Sequence, residues 1–270
     1  MTVIINEIKS FVHDLVINRR LLFHLALRDF RIRYARNYFG LAWAVLEPLA
    51  ILLIMMIVFT YLRNRMHPEY PFIVYLLSGL MGYDFFSKSL GQATNSIRSY
   101  SFMIELIHIR KDFIPLVSIL TSFFTHLIVL TVAIIVLTLN GVTVSWYWMQ
   151  LPYYMLASWL LLLGVTWTTS ALVVYVRDIQ HVIPIVMRAL FFLTPIFWNI
   201  SMFPEKYRNY LKLNPLYYLV EGYRSCLIYK QSFWSDTFSM MAFWIITIIF
   251  LFIGRHTFRK LSPTFADIEN

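Results

Sequence analysis

Long apolar stretches alternate with short polar segments along the whole chain. Six of these stretches hold roughly the 20 residues that an α-helix needs to cross a hydrocarbon core of about 30 Å. The clearest evidence is the run 113–176, which contains no Asp, Glu, Lys or Arg and turns at Asn140-Gly141. We therefore predict six transmembrane helices, at about residues 39–62, 71–92, 114–139, 151–176, 180–200 and 236–254.

Two of the predicted spans carry polar or helix-weakening residues. The second span is the least apolar, because Gly79 and Gly82 thin it and Asp84 and Lys88 end its apolar part. The first span contains Glu47 followed by a proline. A buried carboxylate is costly, and proline removes a backbone hydrogen bond. We expect Glu47 to lie near the cytoplasmic end of its span or to face other protein.

The first 37 residues follow an amphipathic pattern instead of a continuous apolar one. Their apolar positions recur at helical spacing, at Ile4, Ile5, Ile8, Phe11, Val12 and Leu15. Lys9, His13 and Asp14 lie off this stripe. Such a helix lies in the membrane interface and does not cross it. The sequence thus divides into an amphipathic interfacial segment, residues 1–37, and a six-span transmembrane domain, residues 38–270.

Residues 201–235 form neither a span nor an ordinary loop. A short polar helix is predicted first, and Asn214 and the proline after it end that helix. Residues 216–228 are apolar apart from Glu221 and Arg224, which stand three positions apart and can pair. We predict a re-entrant helical hairpin at the outer side of the membrane, before the last span. Such backbone is tolerated only against protein or a watery cavity.

Composition supports a membrane protein with all-α structure. The chain is 59% apolar and only 14% charged, with a mean hydropathy of +0.65. The formal charge of +9 is best explained by Lys and Arg that hold cytoplasmic segments at an anionic surface, and not by nucleic acid. Placing the N-terminus inside puts sixteen of the 23 Lys and Arg residues in the cytoplasm. Both termini are then cytoplasmic.

No catalytic constellation is present in the sequence. The patterns GxxxxGK[ST], HExxH, CxxC and GxSxG are absent, so we expect no ATP site, no metal site and no enzymatic activity in this chain. The single Cys226 excludes an intramolecular disulfide. His126 is alone in the third span and is interpreted as a hydrogen-bonded packing residue. Glu47, Asp84 and Asp178 are too scattered in the sequence to suggest convergent carboxylates.

The segment between the second and third spans indicates a docking helix. Ile104 and Ile107 form an apolar edge, while charged residues form a polar one. A short amphipathic helix exposed to the cytoplasm can dock into a groove of a soluble partner, or it can rest on lipid headgroups. The candidate coupling residues are Arg98, Ile104, Glu105, Ile107, His108, Arg110, Lys111 and Asp112.

Four stretches of the sequence, in register, resemble the ABC-type polysaccharide-export permeases of the type-2 exporter class. They are LALRDFRIRYARNYFGLAWAVLEPLA at 25–50, RDIQHVIPIVMRALFFLTPIFW at 177–198, NPLYYLVEGYRSCL at 214–227 and FRKLSPTFAD at 258–267. The most similar permeases are those for teichoic acid and O-antigen, with teichoic acid favoured. Capsular-polysaccharide permeases share Leu46-Glu47-Pro48 but are less similar in the tail. The coupling segment departs from the family, because no proline precedes Lys111.

The resemblance implies the membrane half of a transporter in the bacterial plasma membrane. Two copies would form a homodimer with a tunnel on its axis, surrounded by membrane lipids. Two copies of a separate ATPase would bind ATP and Mg and would push on the coupling helix. The substrate would be a cell-surface polymer linked to a polyprenyl pyrophosphate.

Particular residues acquire expected roles from this resemblance. Four arginines are expected to meet the anionic head group, although membrane anchoring explains any single one equally well: Arg28, Arg31, Arg33 and Arg36. Six aromatic residues are candidates for the tunnel lining, with ordinary packing as the alternative: Tyr38, Phe39, Trp43, Phe191, Phe192 and Phe197.

Three other functions stay open from the residues alone. A drug or small-lipid exporter of the same superfamily would use the same spans. A membrane-embedded transferase on lipid-linked sugars would need convergent carboxylates or a His-Asp pair. An ion channel would need a filter-like repeat, and the sequence has none.

Overall fold

The structure is a computed structural model that describes residues 2–35, 38–59, 70–100 and 110–265. Within these ranges the chain is helical and contains no strand. The main helices are α1 (Thr2–Ala35), α2 (Trp43–Phe59), α3 (Phe72–Thr94), α4 (Ile114–Leu139), α5 (Leu151–Tyr175), α6 (Ile179–Leu193), α7 (Glu205–Lys212), α8 (Pro215–Arg224) and α9 (Thr237–Leu261). Shorter helical turns are Gly40–Ala42, Ser96–Ser99, Lys111–Phe113, Trp146–Gln150, Ile200–Met202, Ser225–Tyr229 and Ser262–Thr264.

The helices identify an integral membrane protein. Three segments are long and apolar enough to cross a bilayer: Lys111–Leu139, Trp146–Tyr175 and Thr237–Leu261. A fourth candidate is the pair Lys9–Ala35 and Gly40–Met55, whose two parts meet at 95°. A right angle is what an interfacial helix makes with a spanning helix that follows it. The shorter or more polar α3 and α6 do not meet the same criteria, so the count of six spans stays a prediction.

Helix α3 is the centre of the bundle, and two glycines make this possible. A Cβ atom at Gly79 would collide with the guanidinium of Arg224. A Cβ atom at Gly82 would lie 3.1 Å from the ring of Tyr223. Both partners belong to α8. The two glycines make the sequence of α3 less apolar, but they mark the place where α8 packs closely against α3. Close approach through small residues is typical of packing in membranes.

Helices α5 and α9 are also joined through glycine. A Cβ atom at Gly254 would collide with the carbonyl oxygen of Gly164, and one at Gly164 would lie 2.6 Å from the backbone nitrogen of Leu251. The two backbones therefore touch. This contact fixes the height of α5 relative to α9 along the bundle.

The predicted hairpin is present as α7 and α8, separated at Asn214. The Asn214 side chain accepts a hydrogen bond from the Leu216 backbone nitrogen at 3.0 Å and so caps α8. The predicted pair forms, with Arg224 Nη1 at 2.6 Å from Glu221 Oε1. Arg224 is fully buried, and its guanidinium also donates to the carbonyl oxygens of Tyr75, Pro195 and Ile196. The last two are available because α6 has already ended.

Candidate functional site

A polar cavity of about 490 Å³ lies between the end of α1, the start of α2, the second half of α3 and the first half of α4. We name it the inner cavity. It is lined by Arg33, Tyr34, Trp43, Ala44, Glu47, Asp84, Phe85, Lys88, Gln92, Ser122, Thr125, His126 and Val129. Ionisable groups at membrane depth mark substrate or ion pathways, so this cavity is the first candidate site.

An ion cluster forms one wall of the inner cavity. Lys88 Nζ lies 3.1 Å from Asp84 Oδ2 and 3.3 Å from Glu47 Oε1. Asp84 and Lys88 are one turn apart on α3, and α2 brings Glu47 to the same ammonium. The sequence interpretation that Glu47 and Asp84 are scattered is therefore wrong for these two. Asp178, at the start of α6, is exposed and is not among the residues of this wall.

The deep wall of the inner cavity is held by His126. Its Nε2 atom is 2.9 Å from the hydroxyl of Tyr223, and its ring stacks on Phe85 with 4.6 Å between ring centroids. His126 thus has the buried, hydrogen-bonded packing position that its isolation in the sequence suggested. It also joins the cavity to α8, which no sequence signal indicated.

A periodic pattern of polar residues on α3 indicates part of the lining, and the sequence interpretation missed it. Asp84, Lys88 and Gln92 recur at intervals of four and share one face of α3. Ser122 on α4 meets this stripe, with its hydroxyl 2.5 Å from the Gln92 side-chain oxygen. Nearby, the hydroxyls of Tyr34 and Thr125 are 3.2 Å apart. Polar residues at helical spacing within a predicted span are the pattern that finds such a cavity.

The four head-group arginines occupy different places. Arg33 lines the inner cavity. Arg28 and Arg31 are exposed on α1, and Arg28 pairs with Asp29 at 3.2 Å. Arg36 lies outside the described residues. Among the three that the structure describes, Arg33 is the one that borders the cavity.

The six candidate tunnel aromatics form two groups. Tyr38, Phe39 and Trp43 make an edge-to-face ladder, with ring centroids 5.4 and 5.9 Å apart, and Trp43 borders the inner cavity. The second group is a mutual cluster of three rings 5.5 to 6.0 Å apart, Phe191, Phe192 and Phe197, in which Phe191 also contacts Tyr83. A shared tunnel between two copies of the chain stays a prediction.

Part of the predicted coupling segment lies outside the described residues, namely Ile104, Glu105, Ile107 and His108. Arg98 lies in the turn Ser96–Ser99, before this gap. After the gap, Arg110 and Asp112 take part in what we name the inner hub, which consists of Asp14, Arg110, Asp112 and Arg255. Contact of the segment with a partner stays a prediction.

The inner hub is an ion network that joins separate helices. Arg110 Nη1 lies 2.5 Å from Asp14 on α1, and Arg110 Nη2 lies 2.9 Å from Asp112. Arg255 on α9 pairs with the same Asp112 carboxylate, which is nearly buried. The backbone carbonyl of Asp112 accepts a hydrogen bond of 3.0 Å from the Trp167 indole of α5. One residue of the coupling segment, Asp112, therefore contacts α1, α5 and α9, directly or through Arg110.

Aromatic rings and shifted pKa values support the same network. The guanidinium groups of Arg110 and Arg255 stand 5.7 and 5.5 Å from the ring centre of Phe11. The hydrogen bond from Arg110 lowers the pKa of Asp14, although burial acts in the opposite direction. Burial acts to lower the pKa of Arg110, but hydrogen bonds to Asp112 and Asp14 outweigh it and raise that pKa. Both groups are therefore charged at neutral pH.

Comparison with known proteins gives a consistent family. The family model described as "ABC-2 type transporter" matches residues 20–228. The chain is 23% identical over 258 residues to the O-antigen export system permease protein RfbA of Myxococcus xanthus, which covers 95% of this chain and 98% of that protein. It is 27% identical over 253 residues to RfbA of Klebsiella pneumoniae, covering 92% and 94%. It is 26% identical over 246 residues to the polysialic acid transport protein KpsM of Escherichia coli, covering 87% and 91%.

Proposed function

Because this chain belongs to the ABC-2 type transporter family, we propose that it is the permease subunit of an exporter for a cell-surface polysaccharide in the bacterial inner membrane. The observation that carries the proposal is similarity over nearly the whole chain to permease proteins of O-antigen export systems. The chain is a membrane component without catalytic activity of its own, and hydrolysis belongs to a separate ATPase subunit. In the complete exporter, two ATPases would hold ATP and Mg and would serve a homodimer of this chain.

The exported polymer is proposed to travel on a polyprenyl pyrophosphate. An O-antigen-type polysaccharide is the first candidate, because two of the similar permeases carry that name. Teichoic acid is the second candidate, because the sequence motifs resemble the teichoic-acid permeases as well as the O-antigen permeases.

The inner cavity is proposed as the place where the lipid-linked head group first meets the protein. Arg33 at its mouth supplies a planar guanidinium that can bind two phosphate oxygens at once. Trp43 next to it offers a flat ring for the first sugar. Deeper in the cavity, the charges of Lys88, Asp84 and Glu47 keep the wall hydrated, so sugar hydroxyls exchange water for protein contacts at little cost.

Force from the ATPase is proposed to enter through the coupling segment and to pass through the inner hub. A push on the residues before Arg110 would move α1, α5 and α9 together, because Asp112 contacts elements of all three directly or through Arg110. Rigid-body rocking of packed helices is an established mode of such transitions.

The test is to determine whether a neighbouring reading frame encodes a P-loop ATPase and to reconstitute this chain with it. Co-expression in lipid should give a stable complex whose ATP hydrolysis depends on this chain, and cells that lack the chain should keep their polymer inside. The chain alone should hydrolyse no ATP. Failure of any ATPase to co-purify would reject the exporter and leave the membrane transferase as the hypothesis to test.

The alternative exporter is distinguished by its cargo. If the chain exported a drug or a small lipid, its deletion would lower drug resistance or lipid efflux and would leave surface polymer unchanged. Re-expression of the chain would then restore the resistance or the efflux. Loss of surface polymer with unchanged drug resistance supports the proposal.

A further inference from the structure

A second cavity, of about 500 Å³, lies at the opposite end of the bundle from the inner hub. We name it the outer cavity. It is bordered by the starts of α3, α5 and α9, whereas the inner hub lies where these helices finish. At 1.5 Å per residue, the 19 residues from Asp236 to Arg255 separate the two by about 30 Å, which is the thickness of a hydrocarbon core. With the predicted orientation, the outer cavity faces the outside of the cell.

The hairpin helix α8 and the segments around it build this cavity. Its walls are aromatic, with six rings from Tyr70, Tyr154, Tyr217, Tyr218, Tyr229 and Phe233. Hydrogen bonds to backbone hold two of these rings in place. The Tyr70 hydroxyl donates to the carbonyl oxygen of Ile228 at 3.2 Å, and the Tyr218 hydroxyl donates to that of Phe233 at 3.2 Å.

Two carboxylates, Glu221 and Asp236, line the outer cavity, and each is paired with a cation that lies outside the lining. Asp236 is 2.8 Å from Lys212 Nζ and 2.9 Å from the Ser239 hydroxyl. Glu221 is 2.6 Å from Arg224, which is itself fully buried. No Lys, Arg or His is among the described residues that line the cavity. Lys212 and Arg224 stand behind the lining and are paired with these two carboxylates. Arg208 donates to backbone carbonyl oxygens and Lys230 donates to the Thr143 hydroxyl, and neither is a lining residue.

This combination of groups defines the ligand by its chemistry. Sugar rings present CH groups to the negative faces of aromatic rings, and their hydroxyls donate to carboxylates. The Tyr217 side chain adds a hydroxyl that has no hydrogen-bond partner among the described residues. An anionic ligand would meet ring faces and carboxylates, with no cation among the described residues of the lining. The volume is within the roughly 300–1,000 Å³ of small-ligand sites, which suits a mono- or disaccharide unit.

We propose that the outer cavity binds neutral sugar units of the exported polymer and discriminates against anionic ones. The inference rests on the proposed export function for the origin of the sugar, and it names the substrate class more closely. A polymer rich in neutral hexose would find a binding site at the outer end. A polymer with a phosphate in every repeat, as in teichoic acid, would not.

The position of α8 gives such binding a mechanical consequence. Glu221, Gly222 and Ser225 line the outer cavity, while Tyr223 of the same helix bonds to His126 in the wall of the inner cavity. Gly222 lies directly against the ring of Tyr154, where a Cβ atom would collide. A sugar in the outer cavity therefore presses on a helix that also contacts the inner cavity.

The experiment measures sugar binding to the purified full chain in lipid nanodiscs by saturation-transfer NMR. The probes are lactose, maltotriose and 3′-sialyllactose, the last being lactose with an added carboxylate. We expect both neutral sugars to bind and sialyllactose to bind at least about tenfold more weakly than lactose. Absence of binding by both neutral sugars, or equal binding of lactose and sialyllactose, would overturn the proposal.

Variants locate the binding. Ser235 is an exposed residue at the rim of the cavity, so Ser235→Trp should fill the cavity and abolish binding. Ser232→Trp, in the same turn but outside the lining, should bind like the unchanged chain. Tyr217→Phe keeps the ring and removes a hydroxyl that bonds to no described residue, so it should fold normally and bind the neutral sugars several-fold more weakly. Unchanged binding in both Ser235→Trp and Tyr217→Phe would refute this location.

The result separates the inference from the proposed function. Binding is measured on the chain without an ATPase, so sugar binding in a chain for which no ATPase partner exists would retain the site and reject the exporter. ATP-driven polymer export by a chain that binds neither neutral sugar would retain the exporter and reject the site.

Discussion

Replacing Asp112 by Asn tests the inner hub most directly. The change removes one charge and almost no volume. The Asp112 side chain is only 8% exposed and pairs with both Arg110 and Arg255. Breaking a buried ion pair by removing one partner costs about 3–5 kcal/mol. Arg110 keeps its contact with Asp14, and both arginines are partly exposed, so we expect the lower end of that range, about 3 kcal/mol.

The matched control is Asp178→Asn. Asp178 lies at the same end of the bundle, is exposed, and its side chain caps no helix nitrogen. Asp178 makes no ion pair with the residues that the structure describes, and removal of such a surface charge should change stability by at most about 0.5 kcal/mol. Asp112→Glu keeps the negative charge but places the carboxylate one methylene further from the backbone. It should therefore lose less stability than Asp112→Asn.

The assay has two readings on the reconstituted complex. Thermal unfolding in nanodiscs reports stability, and polymer exported per ATP hydrolysed reports coupling. We expect Asp112→Asn to lower both, because the hub holds α9 to the segment on which we propose that the ATPase pushes. An Asp112→Asn protein that is as stable as the Asp178→Asn protein, with an unchanged export-to-hydrolysis ratio, would refute the role of the hub.

Three further predictions follow from the geometry. Arg33→Gln should reduce surface polymer about tenfold, whereas Arg28→Gln should leave it nearly unchanged; equal losses would indicate membrane anchoring in place of head-group binding. Gly79→Ala should destabilise the chain by about 1–3 kcal/mol, because the new methyl meets a buried guanidinium, while Gly91→Ala on the same helix should be neutral or stabilising in thermal unfolding. The stability that Asp14 contributes, measured as the difference from Asp14→Asn, should be constant from pH 8 to about 5 and should disappear in acid. It has this sign because the folded-state pKa is lowered below the ordinary value of 3.8, so protonation favours the unfolded chain; a difference that grows in acid would contradict it.

The two cavities share one structural element, and that has a consequence for transport. Helix α8 is held in the bundle by the buried Arg224, whose guanidinium lies 3.5 Å from the ring centre of Tyr75. Movement of α8 against the bundle would disturb both this contact with α3 and the bond from Tyr223 to His126 of α4. We therefore expect a shift of α8 to affect both cavities, because Glu221 and Gly222 border the outer one and Tyr223 bonds to His126 in the wall of the inner one.

Local pattern was enough to predict the helices. The apolar runs placed α4, α5 and α9 to within a few residues at their starts, because hydrophobic length is a property of consecutive residues. The hairpin and its Glu221–Arg224 pair were predicted for the same reason, since the two residues are three positions apart on one helix. The motifs predicted the family, and the comparisons confirm it, whereas the preference for teichoic acid stays a prediction.

The sites depended on contacts between distant parts of the chain. Glu47 and Lys88 are 41 positions apart, and Asp112 and Arg255 are 143 positions apart. Patterns between neighbouring residues therefore cannot predict either pair. Sequence alone treated Gly79 as a weakness in a span, although it is the place where Arg224 enters.

What the sequence determined by itself is the membrane character, the helices and the family, because these follow from composition, periodicity and motifs that are local along the chain. What the tertiary structure decided is which polar residues share a cavity. A charge inside an apolar bundle is stable only beside a partner, and the partner is supplied by whichever helix packs there. Packing is settled by small residues such as Gly79 and Gly164, whose effect appears only when a second helix is present.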